Sequence, residues 1–133
     1  MPTTTFDLRD TLTSFYLKEV ETITVADGYA PYLFIAAYID DTKYLTTWRM
    51  LEEVDIGKDD WELNRFVLRV DDSEWLNYGC SHPEERPNLD YALSHCGFIG
   101  VMYQKGPEFH GVNANGVLGL DEMRYNLPLS VTD

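Results

Sequence analysis

The longest apolar run in the chain, Tyr32–Ile39, is eight residues long and constrains the fold more than any other segment. Eight residues are too few to cross a bilayer, which takes about 20 residues in a helix. Aromatic and aliphatic side chains occupy both faces of the run, as in a strand that is buried on two sides. The run therefore predicts a central strand in the sheet of a soluble domain.

Polar breaks divide the residues that follow into further strands. Asp40–Lys43 is predicted to be a four-residue turn, so Tyr44–Leu51 returns as the second strand of a hairpin. A second break at Asp55–Asp60 precedes a third predicted strand, Trp61–Val70. Three successive antiparallel strands of this kind predict a meander.

The segment Asp7–Ile23 is predicted to be a helix. Its apolar residues Leu8, Leu12 and Phe15 step by three or four positions, which is the spacing of one helical face. Asp7 stands where an N-cap belongs. Threonines and a serine in the same segment lower its helical propensity.

Two shorter helices are predicted in the second half of the chain. Asp71 or Asp72 caps a short helix that continues through Trp75 and Leu76. Asn88 caps a clearer one, because apolar residues recur at helical spacing after it. The apolar face of this helix consists of Leu89, Ala92, Leu93 and Cys96.

The C-terminal part is predicted to be mainly strand. Phe98–Gln104 is rich in apolar residues, Lys105–Pro107 is a turn, and Glu108–Val112 is the candidate hairpin partner. Gly119–Val131 is predicted to hold a last strand, which Pro128 places at a sheet edge. The whole chain is therefore expected to be one α+β domain, with a mostly antiparallel sheet of about five to seven strands and two or three packed helices.

The chain is strongly acidic. Its 23 Asp and Glu residues outnumber 10 Lys and Arg residues, which gives a net charge of −13 and a pI near 4.4. A surface of this charge repels phosphate backbones, which argues against direct nucleic-acid binding, and it favours basic partner proteins. Two cysteines are too few for a disulfide scaffold, and no basic, apolar leader is present, so we expect a cytoplasmic protein that binds no membrane.

Two acidic clusters flank the predicted third strand, one before it and one just after its end. Each cluster adjoins a tryptophan, Trp61 or Trp75, and tryptophans often anchor protein interfaces. A solvated surface with both tryptophans in the core explains the same pattern, and burial is the commoner outcome for large aromatics. The candidate partner-binding residues are Glu52, Glu53, Asp55, Asp59, Asp60, Trp61, Glu62, Asp71, Asp72, Glu74 and Trp75.

Motifs for catalysis and metal binding are weak. Cys80, His82, His95 and Cys96 include two thiols and two imidazoles, but their spacing matches no zinc finger or ribbon. Cys80 with His82 or His110 has the groups of a thiol nucleophile, and no flanking signature supports it. Phosphate-binding glycine loops and nucleophile elbows are absent from the sequence. We therefore expect no catalytic residue, no metal and no cofactor.

Three segments, YLFIAAY, RFVLRVDDSEWL and YALSHCGFIGVMYQ, follow one another in an order that is similar to that of small ADP-ribosyltransferase-like domains. In those domains a helix leads into a Gly-aromatic-x-Gly-Val strand after an earlier aromatic strand. The resemblance implies NAD binding and transfer of ADP-ribose to a protein, with Glu108 or Glu122 as the late catalytic glutamate. The early His or Arg of the family has no identifiable counterpart here.

Size, charge and the two clusters predict a non-enzymatic interaction protein. We expect it to bind and block a basic surface, on a nuclease or another nucleic-acid-binding effector, in the manner of phage-encoded anti-defence inhibitors and nuclease immunity proteins. The acidic clusters would then imitate a phosphate track. The chain is expected to be a monomer or a small homo-oligomer.

Overall fold

The computed structural model describes residues 4–40, 44–80, 88–105 and 115–129. Within these ranges the chain forms seven strands, one 3₁₀ turn and one α-helix. The helical segments are the 3₁₀ turn Asp72–Glu74 and α1 (Leu89–Ser94). The strands are β1 (Thr11–Thr24), β2 (Ala30–Tyr38), β3 (Leu45–Glu53), β4 (Glu62–Leu68), β5 (Trp75–Cys80), β6 (Phe98–Gln104) and β7 (Asn115–Leu127).

The strands form two antiparallel sheets. The strand order is β4-β1-β7 in the three-stranded sheet and β5-β3-β2-β6 in the four-stranded sheet. Side chains from both sheets and from α1 join one buried cluster, so the two sheets share a common hydrophobic core. Fully buried members of this core include Phe15, Leu17, Leu33, Ile35, Leu68 and Leu93.

β1 lies where a helix was predicted, so the helix prediction for Asp7–Ile23 is wrong. Thr13, Phe15 and Leu17 alternate along β1 and are fully buried, which is the period of two that marks a strand. The β-branched threonines favour the extended backbone. β4 and β7 hydrogen-bond to the two edges of β1, and this pairing outweighs the weak helical spacing.

The predicted meander is also wrong. β2 and β3 form the expected hairpin, which is closed by a hydrogen bond from the Ile39 amide to the Tyr44 carbonyl (2.8 Å). β4 then leaves this sheet and pairs with β1, where the Phe15 and Phe66 rings stack with their centres 6.2 Å apart. Strand β5, which was not predicted, takes the place beside β3. Local sequence patterns indicate strands but do not specify their partners.

The α+β class with two or three packed helices is wrong, because the described residues are mostly strand and hold one α-helix. That helix, α1, has the predicted N-cap: Asn88 Oδ1 accepts a hydrogen bond from the Tyr91 amide (2.9 Å). The helix predicted after Asp71 is a single 3₁₀ turn. Trp75 and Leu76 belong to β5, since their backbones pair with β3.

The C-terminal predictions have mixed outcomes. β6 coincides with the predicted strand Phe98–Gln104, and β7 is an edge strand that ends just before Pro128. Glu108–Val112 lies outside the described residues, as does most of the turn Asp40–Lys43. In the described part of the chain, no helix has both the length and the apolar character needed to cross a membrane.

Truncation of the core should cost far more stability than truncation of the surface. Leu33→Ala should lower the free energy of unfolding by about 2–5 kcal/mol, because Leu33 is fully buried in β2. Leu51→Ala removes the same atoms from a side chain that is 49% exposed and should cost less than about 1 kcal/mol. Urea unfolding followed by circular dichroism measures both; equal losses would contradict the placement of the core.

Candidate interaction surface

The first acidic cluster occupies the end of β3 and the loop that joins β3 to β4. A buried neutral side chain holds this loop. Asn64 Oδ1 accepts a hydrogen bond from the Asp55 amide (2.7 Å), and Asn64 Nδ2 donates to the Asp55 carbonyl (2.8 Å). Asp60 adds one contact of its own, because its carboxylate accepts a hydrogen bond from the Trp61 amide (2.8 Å). The exposed carboxylates of the cluster are Glu52, Glu53, Asp55, Asp59, Asp60 and Glu62.

Gly57 attaches the same loop to β1. Its carbonyl accepts a hydrogen bond from the Glu19 amide (2.7 Å), and its amide donates to the Leu17 carbonyl (3.2 Å). A Cβ atom at Gly57 would lie 1.8 Å from the Asp60 carbonyl oxygen. Because such a distance is sterically impossible, the loop requires glycine at this position.

The second acidic cluster, Asp71, Asp72 and Glu74, surrounds the 3₁₀ turn. Asp71 is the N-cap, and its carboxylate accepts hydrogen bonds from the Ser73 hydroxyl (2.6 Å) and the Ser73 amide (3.0 Å). These bonds hold the pKa of Asp71 below its usual value. Glu74 pairs with Arg69 at 3.6 Å, so this cluster is partly compensated.

The end of β3 joins the two clusters. The 3₁₀ turn lies against β3, and the pairing of Met50 with Trp75 places Glu52 and Glu53 next to this turn. The clusters lie at opposite ends of β4, as predicted, and the end of β3 makes them one surface. We call this surface the acidic belt; it consists of Glu52, Glu53, Asp55, Asp59, Asp60, Glu62, Asp71, Asp72 and Glu74.

The two tryptophans beside the belt differ in exposure. Trp75 is 4% exposed, and its indole Nε1 donates to the Arg69 carbonyl (3.0 Å), so it is a core residue and cannot serve as an anchor. Trp61 is 41% exposed, which corrects the expectation that it is buried. Its ring lies over Gly119 of β7 and beside Val20 of β1. Trp61 therefore offers an exposed aromatic surface next to the belt.

Beyond Leu17, β1 no longer pairs with β4; apart from the bridge to Gly57 at Lys18 and Glu19, it continues with β7 as a two-stranded ribbon. Large apolar side chains of this ribbon are exposed, and no pattern in the sequence distinguishes them. Exposed apolar residues that gather on one element mark interaction sites in many proteins. We call this group the ribbon patch; it consists of Val20, Trp61, Val117, Leu118 and Leu120.

A buried cation lies in the four-stranded sheet, and sequence reasoning missed it. Arg49 is 6% exposed; its Nε donates to the Gln104 side chain, and its Nη1 donates to the Met50 carbonyl (3.1 Å). The guanidinium carbon lies 3.8 Å from the centre of the Tyr32 ring. Within the described ranges no carboxylate forms an ion pair with Arg49. Neutral groups and a cation–π contact therefore hold this charge.

The candidate metal ligands and nucleophiles are not assembled in the described part of the chain. Cys96 is a buried free thiol that donates to the Phe98 carbonyl (3.1 Å), and burial raises its pKa to about 11. His95 stacks on Tyr91 with ring centres 4.3 Å apart. In the ranges that the structure describes, no three His, Cys, Asp or Glu side chains could hold a metal ion. Outside them lie His82, His110 and the side chain of Cys80.

The described residues contain only some of the features that the ADP-ribosyltransferase resemblance implied. α1 leads into β6 as that resemblance requires. Glu122 is exposed on the edge strand β7, and Glu108 lies outside the described residues. No protein-family model, curated protein or solved structure matches this chain. The acidic belt and the ribbon patch are therefore the candidate site.

The loop of the belt should tolerate no side chain at Gly57. Gly57→Ala should lower the free energy of unfolding by about 1–3 kcal/mol, because the new methyl group collides with the Asp60 carbonyl. Lys58→Ala, at the exposed next position, is the matched control and should change little. Urea unfolding and amide chemical shifts of residues 55–62 measure both effects. Equal stability of Gly57→Ala and Lys58→Ala would contradict this loop geometry.

Cys96 should react slowly in the folded protein. Because burial raises its pKa from 9.0 to about 11, the thiol stays protonated at pH 8, and alkylation should be much faster in urea. The unfolded chain ionises first as the pH rises from 9 to 11, so stability should fall over this range. This fall should be smaller in Cys96→Ala. Peptide mass spectrometry measures the alkylation of Cys96 separately from that of Cys80, and unfolding curves at each pH measure the stability. Rapid alkylation of Cys96 in the folded chain would disprove its burial.

Proposed function

We propose that the protein binds a basic surface of a partner protein through the acidic belt and thereby blocks nucleic-acid binding by that surface. The observation that carries this proposal is the exposed Trp61, which lies directly between belt residues Asp60 and Glu62 and beside the exposed Val20 of the ribbon patch. Charge and apolar area therefore meet at one place. Interfaces commonly combine a charged rim with an aromatic anchor.

Electrostatic attraction would bring the two proteins together. The net charge of −13 and the exposed carboxylates of the belt produce a field that attracts Lys- and Arg-rich surfaces before contact. Salt screens this attraction over about 8 Å at physiological ionic strength. A partner channel that binds phosphate backbones carries the complementary charge, so occupation by the belt excludes nucleic acid from it.

Apolar contact would keep the complex together. Exposed ion pairs contribute little free energy in water, so the belt alone gives speed and selectivity more than affinity. Trp61 has a large ring to bury, and its neighbour Val20 is exposed as well. Burial of such side chains contributes about 25 cal/mol per Å² of apolar area. Trp61 is therefore the residue whose truncation should weaken the complex most.

The scaffold supports this role because the belt is held rigidly. Asn64 and Gly57 fix the loop through hydrogen bonds to its backbone, and the Asp71 N-cap fixes the 3₁₀ turn. A loop that is already ordered loses little conformational entropy on binding. The carboxylates are thus presented in a fixed pattern without buried charge.

Reversal of charge in the belt should abolish binding. The measurement is a pull-down from cell lysate with the tagged protein. The bound protein is eluted by salt or by added DNA or RNA and is then identified. Glu52→Lys/Glu53→Lys should weaken capture, and addition of Asp59→Lys and Asp60→Lys should abolish it, because both pairs are exposed belt residues. Trp61→Ala should weaken capture at every salt concentration.

The matched control is Asp40→Lys/Asp90→Lys, which changes the net charge by the same amount as the Glu52/Glu53 pair. Asp40 precedes β3, and its amide donates a hydrogen bond to the Tyr91 hydroxyl of α1. Asp90 lies in the first turn of α1, where it forms an exposed ion pair with Arg9 (3.2 Å) whose loss should cost little stability. The control should bind like the original protein. Equal capture by the belt variants and the control, or a captured protein that nucleic acid does not displace, would refute the proposed function.

A further inference from the structure

The outer edge of β7 has no strand partner in the part of the chain that the structure describes. β7 is the edge strand of the three-stranded sheet, and among the described residues it pairs with β1 alone. Most of its residues are exposed. An exposed edge strand presents unpaired amides and carbonyls, to which another extended chain can add.

The edge of β7 is regular at Leu118–Asp121, whereas bulges after Asp121 protect the rest against the addition of another strand. Glu122 and Asn126 have left-handed φ angles of 48° and 59°, and the pairing with β1 shifts at two places in this part of β7. Such bulges twist an edge and discourage further pairing. In Leu118–Asp121 the pairing with β1 runs without a shift, from Leu118 opposite Glu19 to Asp121 opposite Tyr16. A short, straight edge is thus left open beside the ribbon patch.

We infer that the partner contributes an extended segment, with apolar residues alternating with Lys or Arg, which adds as a strand to the edge of β7 at Leu118–Asp121. The inference rests on the proposed function and names the form of its partner. Strand addition supplies backbone hydrogen bonds, while alternate side chains contact the two faces of the ribbon. One face offers Trp61 and Val20, and the other offers Leu118 and Leu120.

Charge selects a basic segment over a second copy of this chain. Glu19 and Glu21 lie on β1 and Asp121 on β7, whereas the basic residues here are Lys18, opposite Gly119, and Arg124, which pairs with Glu122 at 3.8 Å. The belt residues before β4 add negative charge on the Trp61 side. A second copy would bring the same charges together, whereas Lys and Arg side chains would pair with them.

The test uses the full chain and two synthetic peptides of eight residues in which lysine and valine alternate. The second peptide is N-methylated at two adjacent central residues, so neither of its edges can form the backbone pairing. Both peptides carry the same charge and nearly the same side chains. The unmethylated peptide should bind at least about tenfold more tightly. Hydrogen exchange should show slower exchange of amides in residues 118–121 when it is bound.

A pair of variants tests the side chains. Leu118→Gln/Leu120→Gln removes two exposed leucines from the edge and should reduce binding of the unmethylated peptide by about tenfold or more. Leu51→Gln/Leu129→Gln removes two exposed leucines elsewhere (49% and 55% exposed, against 36% and 54% for Leu118 and Leu120) and should leave binding unchanged. Equal loss in both variants would overturn the inference.

The remaining outcomes separate this inference from the proposed function. Equal affinity for the two peptides, abolished by Glu52→Lys/Glu53→Lys, would mean electrostatic binding without strand addition; it would overturn the inference and leave the proposed function standing. No binding of either peptide at low salt would overturn both. A doubled mass in light scattering that Leu118→Gln/Leu120→Gln removes would assign the edge to a second copy and also overturn the inference.

Discussion

The pairing of β1 with two strands from distant parts of the chain is the constraint on which the rest of the structure depends. β1 contributes Phe15 and Leu17 to the core and hydrogen-bonds to β4 on one edge and β7 on the other. Through Gly57 it also holds the loop of the acidic belt. Because core, loop and ribbon share this one strand, a change that weakens β1 should disturb the fold and the candidate site together.

The electrostatics of the molecule follow from where its charges lie. A net charge of −13 opposes compaction through self-repulsion, and exposure of the belt to water and salt limits that cost. Arg49 is the opposite case, a cation inside the fold that is held by Gln104, a carbonyl and Tyr32. Its neighbours are neutral, so the exposed carboxylates stay available for a partner while the interior keeps its own hydrogen bonds.

Local signals predicted local structure well. The β2–β3 hairpin, strand β6 and the Asn88 cap of α1 all follow from residues close in sequence, where turn chemistry and periodicity decide. β1 was mistaken for a helix because Leu8, Leu12 and Phe15 fit a helical face while Thr13, Phe15 and Leu17 fit a strand. β5 was missed because Asp71 caps only one turn before the chain pairs with β3. Partner strands, which settle such ambiguities, lie far away in sequence.

By itself the sequence determined the acidic character, the two acidic clusters and most strand positions, since charge and side-chain alternation are properties of composition and order. The tertiary structure decided the division into two sheets and the joining of the clusters through the end of β3. It also decided that Trp75 is buried while Trp61 is exposed. The physical reason is that burial and pairing depend on the summed packing of both sheets. Two tryptophans that each follow acidic residues in the sequence therefore have opposite exposures.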